Sequence, residues 1–202
     1  RLSPKLSIGF EPNDAWAFRY SIAKAYRFPI VEELYQHERR TSGTSIANAA
    51  LRPENGTHRN LMLERRLDAG HVRVNVFDEA VADVIFNQTA IVDNRRITTF
   101  LPIDRVETRG IELVYNRLNL LGRLDLRLNA TLLDARTVAN AGDRSIEGKD
   151  FPRMPAKRAH LLMTYRPGGR WDVGGGIRYA SKSFGDLDNA DVGERVYGAH
   201  DA

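Results

Sequence analysis

The 202-residue sequence contains no cysteine, which excludes disulfides, thiolate metal sites and a cysteine nucleophile. It has no run approaching the ~18 uninterrupted apolar residues of a membrane helix, so a helical membrane protein is excluded. It also lacks a block of like charge: 30 Lys+Arg are interleaved with 26 Asp+Glu, leaving a net charge of +4. Without a basic stretch or a stacking-aromatic signature, nucleic acid is not an expected partner. The five histidines, His37, His58, His71, His160 and His200, show neither i, i+4 helical pairing nor carboxylate spacing, so no metal site is expected. No serine sits in a nucleophile elbow and no other catalytic constellation is visible, so the sequence calls for no catalytic residue and no cofactor. Neither a methionine nor an apolar signal segment opens the chain at Arg1, and the expectation is an internal piece of a longer one.

What is present is alternation. The hydrophobic fraction of 42% and charged fraction of 28% are those of an ordinary soluble protein. Averages of this kind are blind to a β-barrel, whose strands hide an apolar face in a period of two. About eight such strands are expected. The first covers Lys5 to Phe10, and the second climbs to Arg27 with Trp16, Phe18, Tyr20, Ile22 and Tyr26 on one parity. The third runs from Gly56 to Leu67, and the fourth opens on Val72, Val74 and Val76 and reaches Ile85. The fifth covers Arg105 to Leu118. In the sixth, Leu124, Leu126, Leu128 and Ala130 alternate strictly with Asp125, Arg127, Asn129 and Thr131. The seventh and eighth carry Ala159 to Tyr165 and Trp171 to Tyr179.

The connections alternate too. Short turns at Glu11–Asp14, Asp68–Gly70, Asn119–Gly122 and Pro167–Gly169 are interspersed with long polar connections from Phe28 to Asn55, from Ile85 to Asp104, from Arg136 to Pro155 and after Lys182. Pro29 stops the second strand, and Glu32 to Tyr35 favours a short helical turn. Tight turns at one end, long loops at the other and strands of about 9–11 residues or more are the layout of an outer-membrane barrel. Periodicity alone leaves a soluble β-sandwich binding module open, because there the polar face would be outermost. Sequential hairpins and aromatics placed as a girdle (Trp16, Tyr20, Tyr26, Tyr115, Tyr165, Trp171 and Tyr179) favour the membrane. A barrel hydrolase is the remaining alternative.

The run AYRFPIVEELY followed by ANAALRPENGTHRN resembles paired motifs of TonB-dependent outer-membrane receptors. Tyr26, Arg27, Pro29, Glu33, Leu34 and Tyr35 match the first motif, and Asn48, Leu51, Pro53 and Glu54 the second. VNVFDEAVADVIF, VETRGIELVYN with Gly110 and Glu112, and MPAKRAHLLMTY match further segments in the right order. One departure is Arg59-Asn60-Leu61, where the family usually carries a further Glu ahead of Gly. The resemblance implies an all-β, antiparallel up-and-down transmembrane barrel. Residues 1–202 would form part of a barrel of about 22 strands, without its plug domain and closing strands. It also implies a non-enzymatic role in the bacterial cell outer membrane, among lipid and lipopolysaccharide. That role would be energy-coupled uptake of a scarce metal chelate, most commonly a ferric siderophore, driven by the TonB energy-coupling complex through the plug. Arg39, Arg40, Arg95, Arg96, Arg144 and Lys182 lie in the long connections, where they would attract an anionic chelate or would instead meet lipopolysaccharide and the acids Glu38, Asp93 and Asp143.

Overall fold

A computed structural model of the chain describes residues 1–40, 43–168, 170–190 and 192–193. In chain order the elements are β1 (Lys5–Asn13), β2 (Trp16–Arg27), the helix α1 (Val31–Tyr35), β3 (Glu38–Arg40), β4 (Gly43–Ile46), β5 (Glu54–Leu67) and β6 (Gly70–Val92). There follow β7 (Arg95–Leu120), β8 (Leu124–Ala139), a 3₁₀ turn (Arg144–Ile146), β9 (Lys157–Gly168), β10 (Trp171–Ala180), and the short pair β11 (Ser183–Phe184) and β12 (Val192–Gly193). Eight long strands form one meander, ordered β1-β2-β5-β6-β7-β8-β9-β10 with every neighbour antiparallel. Apart from the small β11–β12 pair, no second sheet lies among the described residues.

Directly paired residues share a face of the sheet, so the register can be followed from strand to strand. One row runs Ile8, Tyr20, Leu61, Val76, Ile111, Leu132, and all six are between 42% and 63% exposed. The opposite face runs Arg19, Met62, Asn75, Glu112, Thr131, Arg158. A sandwich would cover the apolar row with a second sheet; here that row is bare, as in a wall whose outside meets hydrocarbon. On β7 the belt lies between Arg109 and Arg117 and holds Ile111, Leu113 and Tyr115. Eight positions span about 26 Å along a strand, or roughly 20 Å of height at a tilt of ~40°.

The belt has polar margins on the same outer face. Toward the loop end Asp78 accepts from Arg59 at 2.9 Å and Arg109 at 3.0 Å, and Arg109 continues to Glu107 at 3.1 Å. Toward the turn end the Arg65 guanidinium lies 5.3 Å from the Trp16 ring centre. Of the aromatics expected as a girdle, Trp16 and Trp171 open their strands, whereas Tyr20 sits in the central row.

Two expected connections are corrected. The stretch from Ile85 to Asp104 is strand: β6 and β7 continue as a paired ribbon to Val92 and Arg95, closed by Asp93 and Asn94 at φ 48° and 59°. Both residues tolerate the left-handed region, so a two-residue turn of the type that matches strand twist closes the ribbon. The Phe28–Asn55 connection contains the expected helical turn, but also the β3–β4 hairpin, whose second strand pairs in parallel with β7 at Thr44↔Ile97 and Ile46↔Thr99. In the third connection β8 extends to Ala139 before the chain turns. Beyond β10, residues 194–202 lie outside the described residues.

The buried apolar cluster also sits at the loop end. Phe86, Ile103, Val106, Ile146 and Leu187 pack together, with Phe151 meeting Phe86 edge-on at 5.6 Å. The long connections are thus tied into a core of their own. Ile103 is 1% exposed, and Ile103→Ala is expected to cost about 2–5 kcal/mol locally. Amide exchange should then accelerate in residues 84–103 while the β5–β6 ladder keeps its protection. Equal loss in both would show that the loop core is not a separate unit.

Candidate functional site

At the loop-side rim, Arg27 ends β2 and reaches two carboxylates, pairing with Glu33 of α1 and with Glu54 at 3.2 Å. Glu33 is buried, at 6% exposure, and its second oxygen accepts the Ile30 amide at 3.0 Å. Glu54 also accepts the Ile85 amide of β6 at 2.9 Å. The Asn48 amide donates to the Glu33 carbonyl at 2.8 Å, and its side-chain nitrogen donates to the Phe100 carbonyl of β7 at 3.1 Å. Leu51 is buried beside this knot. The residues quoted for the family motifs therefore meet physically, though nearly thirty positions separate Arg27 from Glu54. Pro29 and Leu34 are half-buried and Tyr35 is exposed, while Pro53 delivers the chain into β5. Tyr26 faces outward, with the Arg1 guanidinium 5.3 Å and the Lys24 ammonium 5.5 Å from its ring centre.

Four of the six cationic residues expected in the loops are brought together. Arg39 pairs with Thr44 and Arg40 with Gly43 on the β3–β4 hairpin, and β4 lies along β7 next to Arg95 and Arg96. Gly43 allows that approach: a Cβ there would stand 2.7 Å from the Arg96 carbonyl oxygen, and its φ of +154° is rare for other residues. Arg39, Arg95 and Arg96 are exposed. Arg144 stands apart on the 3₁₀ turn, where the Ser145 hydroxyl and then its amide donate to Asp143 and hold that carboxyl below its usual range. Lys182 lies elsewhere again, lining a cleft of about 60 Å³ with Asp134, Asp150, Phe151 and Met154.

Below the rim the inner wall is polar and internally bonded. Asn75 donates to Asn60 and to Glu112, both at 3.3 Å; Arg73 pairs with Glu64; His58 stands 3.3 Å from Glu79. Asn60, Arg73, Asn75 and Glu112 border a recess of about 300 Å³ that also includes Arg19, Ser21 and Met62. Gly110, next to Glu112 on this face, lies under the Phe77 ring. The Asn60–Asn75–Glu112 link and the Arg73–Glu64 pair were not singled out from the sequence, although their parity opposite Val72, Val74 and Val76 was the available signal. Among the described residues no three His, Asp or Glu side chains stand close enough to hold a metal ion.

A bare apolar outside, a polar inside, tight turns at one end and structured loops at the other define a transmembrane β-barrel wall of the outer-membrane type. The chain belongs to the TonB dependent receptor-like β-barrel family, whose model matches residues 1–202. It is therefore a receptor barrel wall and not an enzyme. Among solved structures, the siderophore receptor PiuA from Acinetobacter baumannii is 20% identical with a TM-score of 0.71, over 94% of this chain and 27% of that one. The copper transporter OprC is 19% identical with a TM-score of 0.70, over 89% and 27%. The ferric yersiniabactin uptake receptor FyuA from Yersinia pestis is 13% identical with a TM-score of 0.67, over 93% and 27%. No curated protein matches the chain. The chain thus spans a little over a quarter of the length of these three proteins, and the likeness is one of fold.

Proposed function

We propose that this chain is part of the barrel of an outer-membrane receptor that takes up an anionic iron chelate, a ferric siderophore, with energy from the TonB complex. In this reading residues 1–202 act with a plug domain and with further strands toward a barrel of about 22, set among lipid and lipopolysaccharide in the bacterial outer membrane. The observation that carries the reading is the gathering of Arg39, Arg40, Arg95 and Arg96 on one loop platform above a polar inner wall. Glu38 and Asp93 share these two hairpins, so the platform carries an excess of positive charge and not one sign alone; a net positive field at the mouth of a low-dielectric wall raises the local concentration of an oppositely charged solute. The names of PiuA and FyuA support an iron chelate as cargo, and that of OprC makes copper the competing cargo.

The test is binding and uptake of radio-iron siderophores by cells that carry the complete receptor and no other. Neutralising Arg39, Arg95 and Arg96 to glutamine is expected to weaken binding on the order of tenfold, equivalent to ~1.4 kcal/mol. Arg144→Gln should have a smaller effect, because Arg144 stands away from the platform. Uptake of copper but of no iron chelate would replace the cargo, and unchanged binding by the triple variant would remove the platform from the mechanism.

A further inference from the structure

Between the wall and the loop platform the β6–β7 ribbon turns over. In the wall one parity faces lipid: Val76 pairs with Ile111 and Asp78 with Arg109, and Ala82 with Arg105 continues the same row. Beyond that pair the row is buried. Val84 pairs with Ile103 and Phe86 with Leu101, and all four lie in or against the loop core, where Ile103 is 1% exposed. The same core holds Val106, which has the opposite parity to Arg105 and belongs to the inner face. A row that meets lipid below and shares a core with an inner-face residue above has been rotated about the ribbon axis.

The rotation is confined to one step. Ala82↔Arg105 and Val84↔Ile103 are paired without a shift of register, and the pair between them, Asp83 with Asp104, is missing from the ladder. Asp83 takes a φ of 55°. Among the described residues, the other non-glycine residues with positive φ stand at turns, in connections or in the last two positions of a strand, whereas Asp83 is in mid-strand. The flanking strands depart at the same level: β5 makes its last pair with Ala82, and β8 its last with Arg105. There the Asp104 carboxylate also accepts the Ala141 amide at 2.6 Å, tying β7 to the connection after β8.

We infer that Asp83 is the positioning residue of the loop platform: its left-handed backbone turns the ribbon onto the loop core and so aims Arg95 and Arg96 at the mouth of the barrel. The inference rests on the uptake reading above, in which those arginines attract the chelate. Aspartate suits the position, because its short polar side chain tolerates the left-handed region and a β-branched one does not. Without the turn, Phe86 and Ile103 would carry the lipid-facing row past the charged margin and into water. The leverage is large. Arg96 lies eight positions from Asp104, about 26 Å of strand, so a change of direction of about 20° would move the tip by about 9 Å. That exceeds the Debye length of about 8 Å at physiological ionic strength, so a misdirected tip loses most of its pull on a solute at the mouth.

The experiment compares the complete receptor with Asp83→Val, Asp83→Ala and Asp83→Asn. Heat-modifiable mobility of the barrel on gels and its level in the membrane are the controls for folding. Asparagine keeps the left-handed tolerance and removes the charge, valine removes both, and alanine is the milder form of the valine change should that variant fail to fold. One readout is binding of radio-iron catecholate, hydroxamate and carboxylate siderophores to de-energised cells. The other is the spin-label distance between Ile91→Cys on the ribbon and Leu121→Cys at the turn end, two exposed positions. The expected result is binding about tenfold weaker in Asp83→Val with the distance shifted by about 5 Å or more, an intermediate effect in Asp83→Ala, and both readouts near wild type in Asp83→Asn. Adding Asp83→Val to the glutamine variant of Arg39, Arg95 and Arg96 should weaken binding less than twofold further, because the two changes remove the same attraction. Equal loss in the asparagine and valine variants would assign the effect to the carboxylate, and an unshifted distance in a folded Asp83→Val would show that the core alone aims the ribbon; either overturns the inference. If wild type binds no probe, the uptake reading fails and the role in binding falls with it, while the distances still decide whether Asp83 aims the ribbon.

Discussion

Gly110→Ala is expected to lower the stability of the folded wall by about 1–3 kcal/mol or more, the range found when a tight site is overpacked. The added Cβ would stand 2.4 Å from Cζ of Phe77 and 2.6 Å from the Leu132 carbonyl oxygen. A phenyl ring can swing aside. The carbonyl belongs to the β7–β8 ladder, where Gly110 and Leu133 are paired, and it moves only if the ladder moves. Removing the ring as well, in Phe77→Ala/Gly110→Ala, should therefore recover part of the loss and not all of it. Urea unfolding of the reconstituted barrel, followed by the gel shift between folded and unfolded forms, measures both. A single variant as stable as wild type would show that the wall at Gly110 yields freely.

Arg27→Ala should have the second large effect, and a local one. Removing the guanidinium leaves the Glu33 carboxylate buried with the Ile30 amide as its remaining partner, and leaves Glu54 on the neighbouring strand with the Ile85 amide but no cation. Because Arg27 itself is 45% exposed, the loss is about 1–3 kcal/mol and less than a fully buried pair would give. The segment from Phe28 to Pro53 should become a protease target while the strands stay resistant. Glu33→Gln, which keeps an acceptor for Ile30 but not the charge, should be milder. If both variants resist cleavage as wild type does, the α1 segment is held by other contacts.

Much of the wall was legible because a strand writes its two faces in alternate residues. Val72, Val74 and Val76 against Arg73 and Asn75 fix the orientation of β6, and Asp68-Ala69 fixes where it begins. What alternation could not decide was which face is covered, since that depends on whether a second layer exists. The ribbon beyond Ile85 was missed for a specific reason: Asp93-Asn94 lacks the glycine that usually marks such a turn, and Pro102 interrupts the pattern. The meeting of Arg39–Arg40 with Arg95–Arg96 was out of reach as well. It depends on a parallel pairing between Thr44 and Ile97, 53 positions apart, with no local signature. Arg144 and Lys182 share the same composition and polar surroundings as those four, yet the chain carries them elsewhere.

The charged margin Arg59–Asp78–Arg109 has a mechanical consequence for a wall set in a bilayer. An arginine on the lipid face costs about 2–4 kcal/mol at mid-membrane and about 0–1 kcal/mol near the interface. Sinking the loop end by a few ångströms would therefore meet a rising resistance, like a hull held at its draught. The margin crosses three neighbouring strands, so leaning is resisted along with sinking, and the loop platform is kept at a constant height above the lipid.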